Sequence, residues 1–87
     1  MNREELEKIF DEKKAKWDGD NTFQGLLIIS KYFDIKNKNI LGAAEHDIIY
    51  SVRIDEALQA GLTTEDAEAL AKLNWMISEF DCFACFV

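Results

Sequence analysis

The sequence is poor in several residues on which common functional sites depend. It has one histidine, two cysteines, four glycines and no proline in 87 residues. No glycine-rich phosphate-binding loop is present, and no nucleophile can be assembled with a base and an orienting acid. No apolar run approaches the ~20 residues of a membrane-spanning helix. These absences favour a function other than catalysis, and we expect neither an enzyme nor a bound cofactor.

Basic residues are also few, at 10 against 17 acidic ones, which gives a net charge of −7. An acidic protein repels phosphate groups, so direct binding to nucleic acid or to an anionic membrane is disfavoured. Basic proteins are permitted as partners. The charged residues that follow Met1 predict no signal peptide, so we expect a cytoplasmic protein with reduced cysteines.

Large apolar residues are plentiful for so short a chain. Hydrophobic residues make up 48% of the sequence, with six phenylalanines and two tryptophans. A single folded domain over residues 1–87 is therefore expected. The apolar surplus suggests that some of this surface is buried against a partner or against a second copy of the chain.

The first third of the chain predicts two helices. Residues 2–16 form an amphipathic helix that Asn2 can cap, with Glu5 completing a capping box. Residues 22–33 predict a second helix with Asn21 as its cap, although a buried strand at residues 26–30 is the competing interpretation. The expected buried face of the first helix is Leu6, Ile9, Phe10 and Trp17. On the second helix, Phe23, Leu26, Leu27 and Phe33 share one face while Ile28 and Tyr32 point elsewhere, so that helix is expected to be buried on two sides.

A β-hairpin is predicted next. A strand pattern runs through residues 40–53, with clear alternation after Asp47, and this stretch is too long for one typical strand. We therefore divide it into strands at 41–45 and 48–53, joined by a tight turn at His46 and Asp47. If the alternation ran on unbroken, His46 would instead share the face of Tyr50.

The remainder predicts a short helical turn at residues 55–60 that Gly61 ends, and then a helix that Thr63 caps. That helix runs to about residue 73, and strands follow at 75–78 and 82–87. The last strand is apolar on both faces, so it belongs inside a sheet or against a partner. The order α-α-β-β-α-β-β predicts an α+β domain with an antiparallel sheet covered by helices.

The segment Glu45-His46-Asp47 is the first candidate site. A carboxylate beside a histidine can fix its tautomer, raise its pKa or complete a metal site. Three interpretations stay open: a structural turn, a contact with a partner, and a small-molecule or metal site that uses His46 with nearby carboxylates. One histidine gives little support for zinc, so no metal-ligating residue is assigned.

Cys82 and Cys85 have the spacing of a CxxC motif. A redox motif needs a helix that starts at the first cysteine, and only two residues follow the second one. A zinc site needs a second pair of ligands. Cysteines three apart on a strand face opposite ways, so a disulfide between them is also not expected. We therefore expect two free thiols that serve as small core residues.

The acidic residues suggest a third function. A continuous negative face could mimic the phosphate backbone and inhibit a nucleic-acid-binding protein, although charge runs more often serve solubility. The carboxylates of this face would be Glu4, Glu5, Glu7, Asp11, Glu12, Asp55, Glu56, Glu65, Asp66 and Glu68.

Several short motifs give the chain a resemblance to a known group. They are the segment from Ala43 to Tyr50, the helix start Thr63-Thr64-Glu65-Asp66, Asn74-Trp75 and the closing run from Cys82. In this order of elements the chain resembles small uncharacterised proteins of bacteriophages and prophages, over roughly residues 21–87. The resemblance implies an accessory protein of a mobile element that binds a host protein, and it implies no catalytic residues.

The leading hypothesis is therefore a small acidic, non-enzymatic interaction protein, which binds a host or phage protein or its own copy. Its polar contacts are predicted at Glu45, His46, Asp47 and Tyr50.

Overall fold

The computed structural model describes residues 1–12 and 20–86. Residues 13–16 of the first predicted helix, Trp17 and the closing Val87 lie outside the described residues. The described elements, in chain order, are α1 (Arg3–Glu12), α2 (Asn21–Ser30), β1 (Ala43–Glu45), β2 (Ile48–Arg53), α3 (Ile54–Gln59), α4 (Thr64–Lys72), β3 (Met76–Ile77) and β4 (Cys82–Phe86). The α+β architecture and the order of elements match the prediction. Within these two ranges no helix is both long and apolar enough to cross a membrane.

The four strands form one antiparallel sheet in the order β1-β2-β4-β3. The doubly apolar strand β4 therefore lies inside the sheet, as its sequence predicted. Helices cover one face, where Phe83 packs against Phe10 of α1 with ring centroids 5.8 Å apart. The opposite face, here called the outer face, carries the alternate residues, among them Tyr50 opposite Ala84.

The helix ends follow local signals. At α1 the Asn2 side chain accepts from the Glu5 backbone N–H at 2.8 Å, and Glu5 accepts from the Asn2 N–H at 3.2 Å. At α4 the Thr63 hydroxyl accepts from the backbone N–H of Asp66 at 3.1 Å. Asn74 ends α4 with a φ of 64°. These caps confirm the predicted helix starts, because each depends on residues only three positions apart.

The second helix is α-helical, as predicted, but its buried face differs from the prediction. The buried residues of α2 are Asn21, Gly25 and Ile29. Phe23 and Leu27, which were expected in the core, are 64% and 52% exposed. The prediction was wrong because it chose the buried face by the number of large apolar side chains alone. In the fold, the helix backbone at Gly25 packs against the core.

Asn21 does not cap α2. The N-cap position is Asp20, which has a φ of 44° and makes no side-chain cap bond. Asn21 is buried instead, and its amide donates to the Leu73 carbonyl at 2.7 Å and to the Cys85 thiol at 3.3 Å. A buried amide needs partners, and this one finds them on α4 and β4 rather than on its own helix.

Candidate functional site

The predicted hairpin is present, and its turn is formed by His46 and Asp47. Glu45 pairs with Ile48 across a two-residue connection, which places His46 at the tip with a φ of 56°. Its side chain is 88% exposed, and its Nε2 lies 3.8 Å from a carboxylate oxygen of Glu45, itself 70% exposed. The interpretation with His46 on the face of Tyr50 is therefore wrong, because the chain reverses before the alternation can continue.

Two of the four predicted contact residues lie on one surface. Glu45 and Tyr50 both project from the outer face of the sheet, and both line a shallow cavity of about 320 Å³. The Tyr50 ring packs edge-on against Phe80 with centroids 5.7 Å apart. Phe80 is itself 59% exposed. His46 and Asp47 lie beyond this cavity at the hairpin tip.

Few side chains that could bind a metal or act as an acid or base converge in this hairpin region. Within residues 1–12 and 20–86, no group of three or more His, Cys, Asp or Glu side chains converges as metal ligands would. His46 contacts solvent on most sides, so nothing around it narrows its approach to a substrate.

Both cysteines are free and buried. The Cys85 thiol accepts a hydrogen bond from the Asn21 amide and lies 3.5 Å from the Thr22 hydroxyl. Burial raises the pKa of Cys85, although these two hydrogen bonds oppose the rise. A buried thiol with a raised pKa is a poor nucleophile, so Cys85 acts as a core residue.

The acidic residues are interrupted by basic ones. Four of the ten carboxylates proposed for a continuous negative face form ion pairs with arginine or lysine. The surface around them is therefore mixed in sign. The pairs are Glu7 with Arg3 (3.5 Å), Asp55 with Arg53 (3.1 Å), Glu56 with Lys38, and Asp66 with Lys31 (2.8 Å).

A second surface was not predicted. An open groove of about 660 Å³ lies between α2 and residues 35–41, and we call it the α2 groove. Four large apolar side chains that line it are 45–64% exposed, and they are Phe23, Leu27, Ile35 and Leu41. A sequence signal for it existed, because a helix apolar on more than one side has apolar surface left over when only one side meets the core.

The wall of the α2 groove opposite the helix is held in place by hydrogen bonds. The Asp34 carbonyl accepts from the backbone N–H groups of Asn37 (2.9 Å) and Lys38 (2.8 Å), which closes a turn. The Ser51 hydroxyl donates to the Ile40 carbonyl and so ties the segment to β2. The Lys38 ammonium pairs with Glu56 on α3. These contacts fix both ends of the wall, so the groove is preformed.

The charge of the α2 groove differs from that of the whole protein. Among its described lining residues there are two lysines, Lys36 and Lys38, and no carboxylate. Lys38 lowers the pKa of Glu56 through their hydrogen bond and also lies 5.9 Å from the Phe33 ring centre. Lys36 is exposed and has no ion-pair partner within the described ranges.

Comparisons with protein-family models, with curated proteins and with solved structures find no match for this chain. The two surfaces described above are therefore the basis for assigning a function.

Proposed function

We propose that this protein is a small acidic, non-enzymatic interaction protein that acts by binding another protein. The observation that carries the proposal is the α2 groove, in which exposed large apolar side chains lie together. Single exposed apolar residues are normal on a protein surface, but a contiguous patch marks an interaction site. Its volume also lies within the ~300–1,000 Å³ range of binding pockets.

The hairpin supplies the polar part of the proposed contact. Glu45, His46, Asp47 and Tyr50 remain the proposed contact residues there. Tyrosine is enriched at the centres of interfaces, and the exposed Phe80 ring beside Tyr50 extends the apolar part of this surface. Leu41 lines the α2 groove and the next residue, Gly42, lines the hairpin cavity, so the two surfaces follow one another along the chain.

The proposed context is the one that the sequence resemblance implies. The protein would be a cytoplasmic accessory protein of a phage or prophage, and its partner a host or phage protein. Two free thiols suit a reducing compartment. The exposure of His46 and the ion pairs of the acidic residues give less support to a metal-binding module or to a DNA mimic.

The test combines affinity capture with reconstitution. Proteins captured from the organism that encodes this chain would be purified, and their binding measured by calorimetry against wild type and Leu27→Ser. Truncating a hot-spot residue at the centre of an interface costs about 2 kcal/mol or more, and about 1.4 kcal/mol already corresponds to tenfold in Kd. We therefore expect at least about tenfold weaker binding by the variant.

Lys8→Ser is the control, because Lys8 is an exposed helix residue like Leu27 but lies on α1 and lines neither the α2 groove nor the hairpin cavity. It should change Kd less than about twofold. Tyr50→Ala tests the hairpin contact in the same assay. Equal binding by wild type and Leu27→Ser for every reconstituted partner would contradict the proposal.

A further inference from the structure

We infer that the α2 groove binds a peptide segment of another protein in which apolar side chains are flanked by Asp or Glu. This inference rests on the proposed function and adds the chemistry of the partner. Three features of the molecule support this partner: the local charge of the groove, its preformed wall and the surfaces that a second copy could offer.

The local charge of the α2 groove favours an acidic partner. The protein has 17 acidic and 10 basic residues, yet the described lining of the α2 groove holds two lysines and no carboxylate. The Asp34 carboxylate is nearby, but it accepts from the Lys36 backbone N–H (3.1 Å) and the Asn37 amide (2.7 Å). Lys38 already pairs with Glu56, so Lys36 is the lysine of the groove that is left to attract a carboxylate of the partner.

The form of the α2 groove favours a peptide segment. It is open along its length and lined by side chains of both α2 and the 35–41 wall, so it can take several apolar side chains of one chain. Because hydrogen bonds already hold the wall, little ordering is needed on binding.

A second copy is a weaker candidate. Helix α1 is acidic, but its apolar residues Leu6 and Phe10 are buried in its own core. The exposed segment Glu79-Phe80-Asp81 does combine an apolar ring with carboxylates. However, Phe80 packs on Tyr50, and Asp81 binds Arg3 at 2.8 Å. Both would have to leave these partners to enter the groove of another copy.

The experiment is a selection from a random peptide display library on the full chain, with counter-selection on Leu27→Ser. We expect the enriched peptides to combine two or more large apolar residues with Asp or Glu. A chosen peptide would then be measured by fluorescence anisotropy at about 50 and about 500 mM NaCl, where screening differs strongly. Its affinity should fall at high salt.

Charge-reversal variants distinguish the effect of a charge in the α2 groove on peptide affinity from the effect of the net charge of the protein. Lys36→Glu should weaken the acidic peptide about tenfold at low salt. Lys8→Glu makes the same change in net charge on the exposed surface of α1, outside the groove, and should change affinity less than about twofold.

The outcomes distinguish the inference from the proposed function. Enrichment of neutral or basic peptides that still depend on Leu27 would overturn the acidic partner but leave an interaction protein. If counter-selection on Leu27→Ser removes every binding peptide, so that all of them bind wild type and variant equally, the groove would be overturned as the site. Self-association that Phe80→Ser abolishes would assign the groove to a second copy and also overturn the inference.

Discussion

The indole ring of Trp75 occupies the space that any side chain at position 25 would need. A Cβ on Gly25 would lie 1.9 Å from Nε1 and 2.2 Å from Cε2 of that ring. Trp75 is fully buried, and its Nε1–H donates to the Asn21 carbonyl at 3.0 Å. With about 100° of rotation per residue, positions 23 and 27 lie about 200° from position 25. The contact of Gly25 with Trp75 therefore turns Phe23 and Leu27 outward and creates the α2 groove.

Gly25→Ala should destabilise the protein by about 1–3 kcal/mol, because the new methyl group collides with a buried ring that cannot shift freely. An alanine in an open helix position would instead stabilise by roughly 1 kcal/mol. Urea unfolding followed by tryptophan fluorescence measures the difference. Gly42→Ala is the control, because its Cβ would meet only ordinary contacts at 3.5 Å. A stabilising effect of Gly25→Ala would contradict the packing described here.

Asn21→Asp should cost about 3 kcal/mol at neutral pH, because a carboxylate cannot donate to the Leu73 carbonyl and would be charged in the core. Protonation restores a donor, so the stability gap to wild type should narrow as pH falls. Burial raises the pKa of such a carboxyl in the folded state, so the variant gains stability relative to wild type as the pH falls. Asn39→Asp makes the same change at an exposed site and should have little effect. Chemical denaturation at several pH values tests both.

Asp66→Asn should lower stability at neutral pH by about 1–2 kcal/mol, because the carboxylate accepts from Lys31 and Tyr32. Burial raises the pKa of Asp66, but the hydrogen bonds from Lys31 and Tyr32 outweigh it, so the pKa lies below its usual value. The contribution of the Asp66 carboxylate to stability is therefore complete when the pH is above the pKa of Asp in the unfolded chain, about 3.9. It is lost as the pH falls through the pKa of Asp66 in the folded protein.

The check on Asp66 is a series of unfolding curves from neutral pH down to about pH 3. The gap between wild type and Asp66→Asn should be constant above about pH 5 and close below pH 4. Glu65→Gln, an exposed neighbour, should cost no more than about 0.5 kcal/mol. A gap that widened in acid would refute the assignment.

His46→Gly should raise the stability of the hairpin by roughly 0.5–1 kcal/mol, because glycine adopts a positive φ without the steric cost that other residues bear. For a domain of this size that corresponds to a rise of several degrees in Tm. Asp47→Gly, at the neighbouring position without a positive φ, should give no gain. Thermal unfolding by circular dichroism compares the two, and a lower Tm for His46→Gly alone would be the contrary result.

Neither thiol should react readily in the folded protein. Cys82 is 8% exposed and Cys85 fully buried, and burial raises the pKa of the Cys85 thiol. Iodoacetamide at neutral pH should therefore leave both largely unmodified, while both react in concentrated urea. Mass spectrometry of the single variants Cys82→Ser and Cys85→Ser assigns any modification. Rapid alkylation of Cys85 without denaturant would show that the site opens.

Much of the fold follows from patterns within a few residues. The Asn2–Glu5 capping box and the Thr63 cap were predicted correctly, because each signal and its partner are three positions apart. The two-residue turn at His46 was also predicted, since one strand could not be so long. The doubly apolar run from Cys82 correctly predicted an interior strand.

The surfaces that could make a contact follow less directly from the sequence. Glu45, His46, Asp47 and Tyr50 were predicted as a single contact site, and the structure places only Glu45 and Tyr50 along the same cavity. The α2 groove was missed, although the apolar surplus indicated that such a surface existed. The composition shows that large apolar side chains are numerous, but it does not show where on the surface they lie.

The sequence by itself determined most of the elements, the starts of α1 and α4 and the antiparallel α+β class, because caps, turns and alternation are short-range interactions. Tertiary structure decided which side of α2 is buried, where the Asn21 amide finds partners and where apolar surface remains. Those outcomes depend on contacts between residues about fifty positions apart, such as Gly25 with Trp75. In a helix that is apolar on several sides, local interactions do not favour the burial of one side over another. The shape of the surface that the helix packs against therefore determines which side is buried.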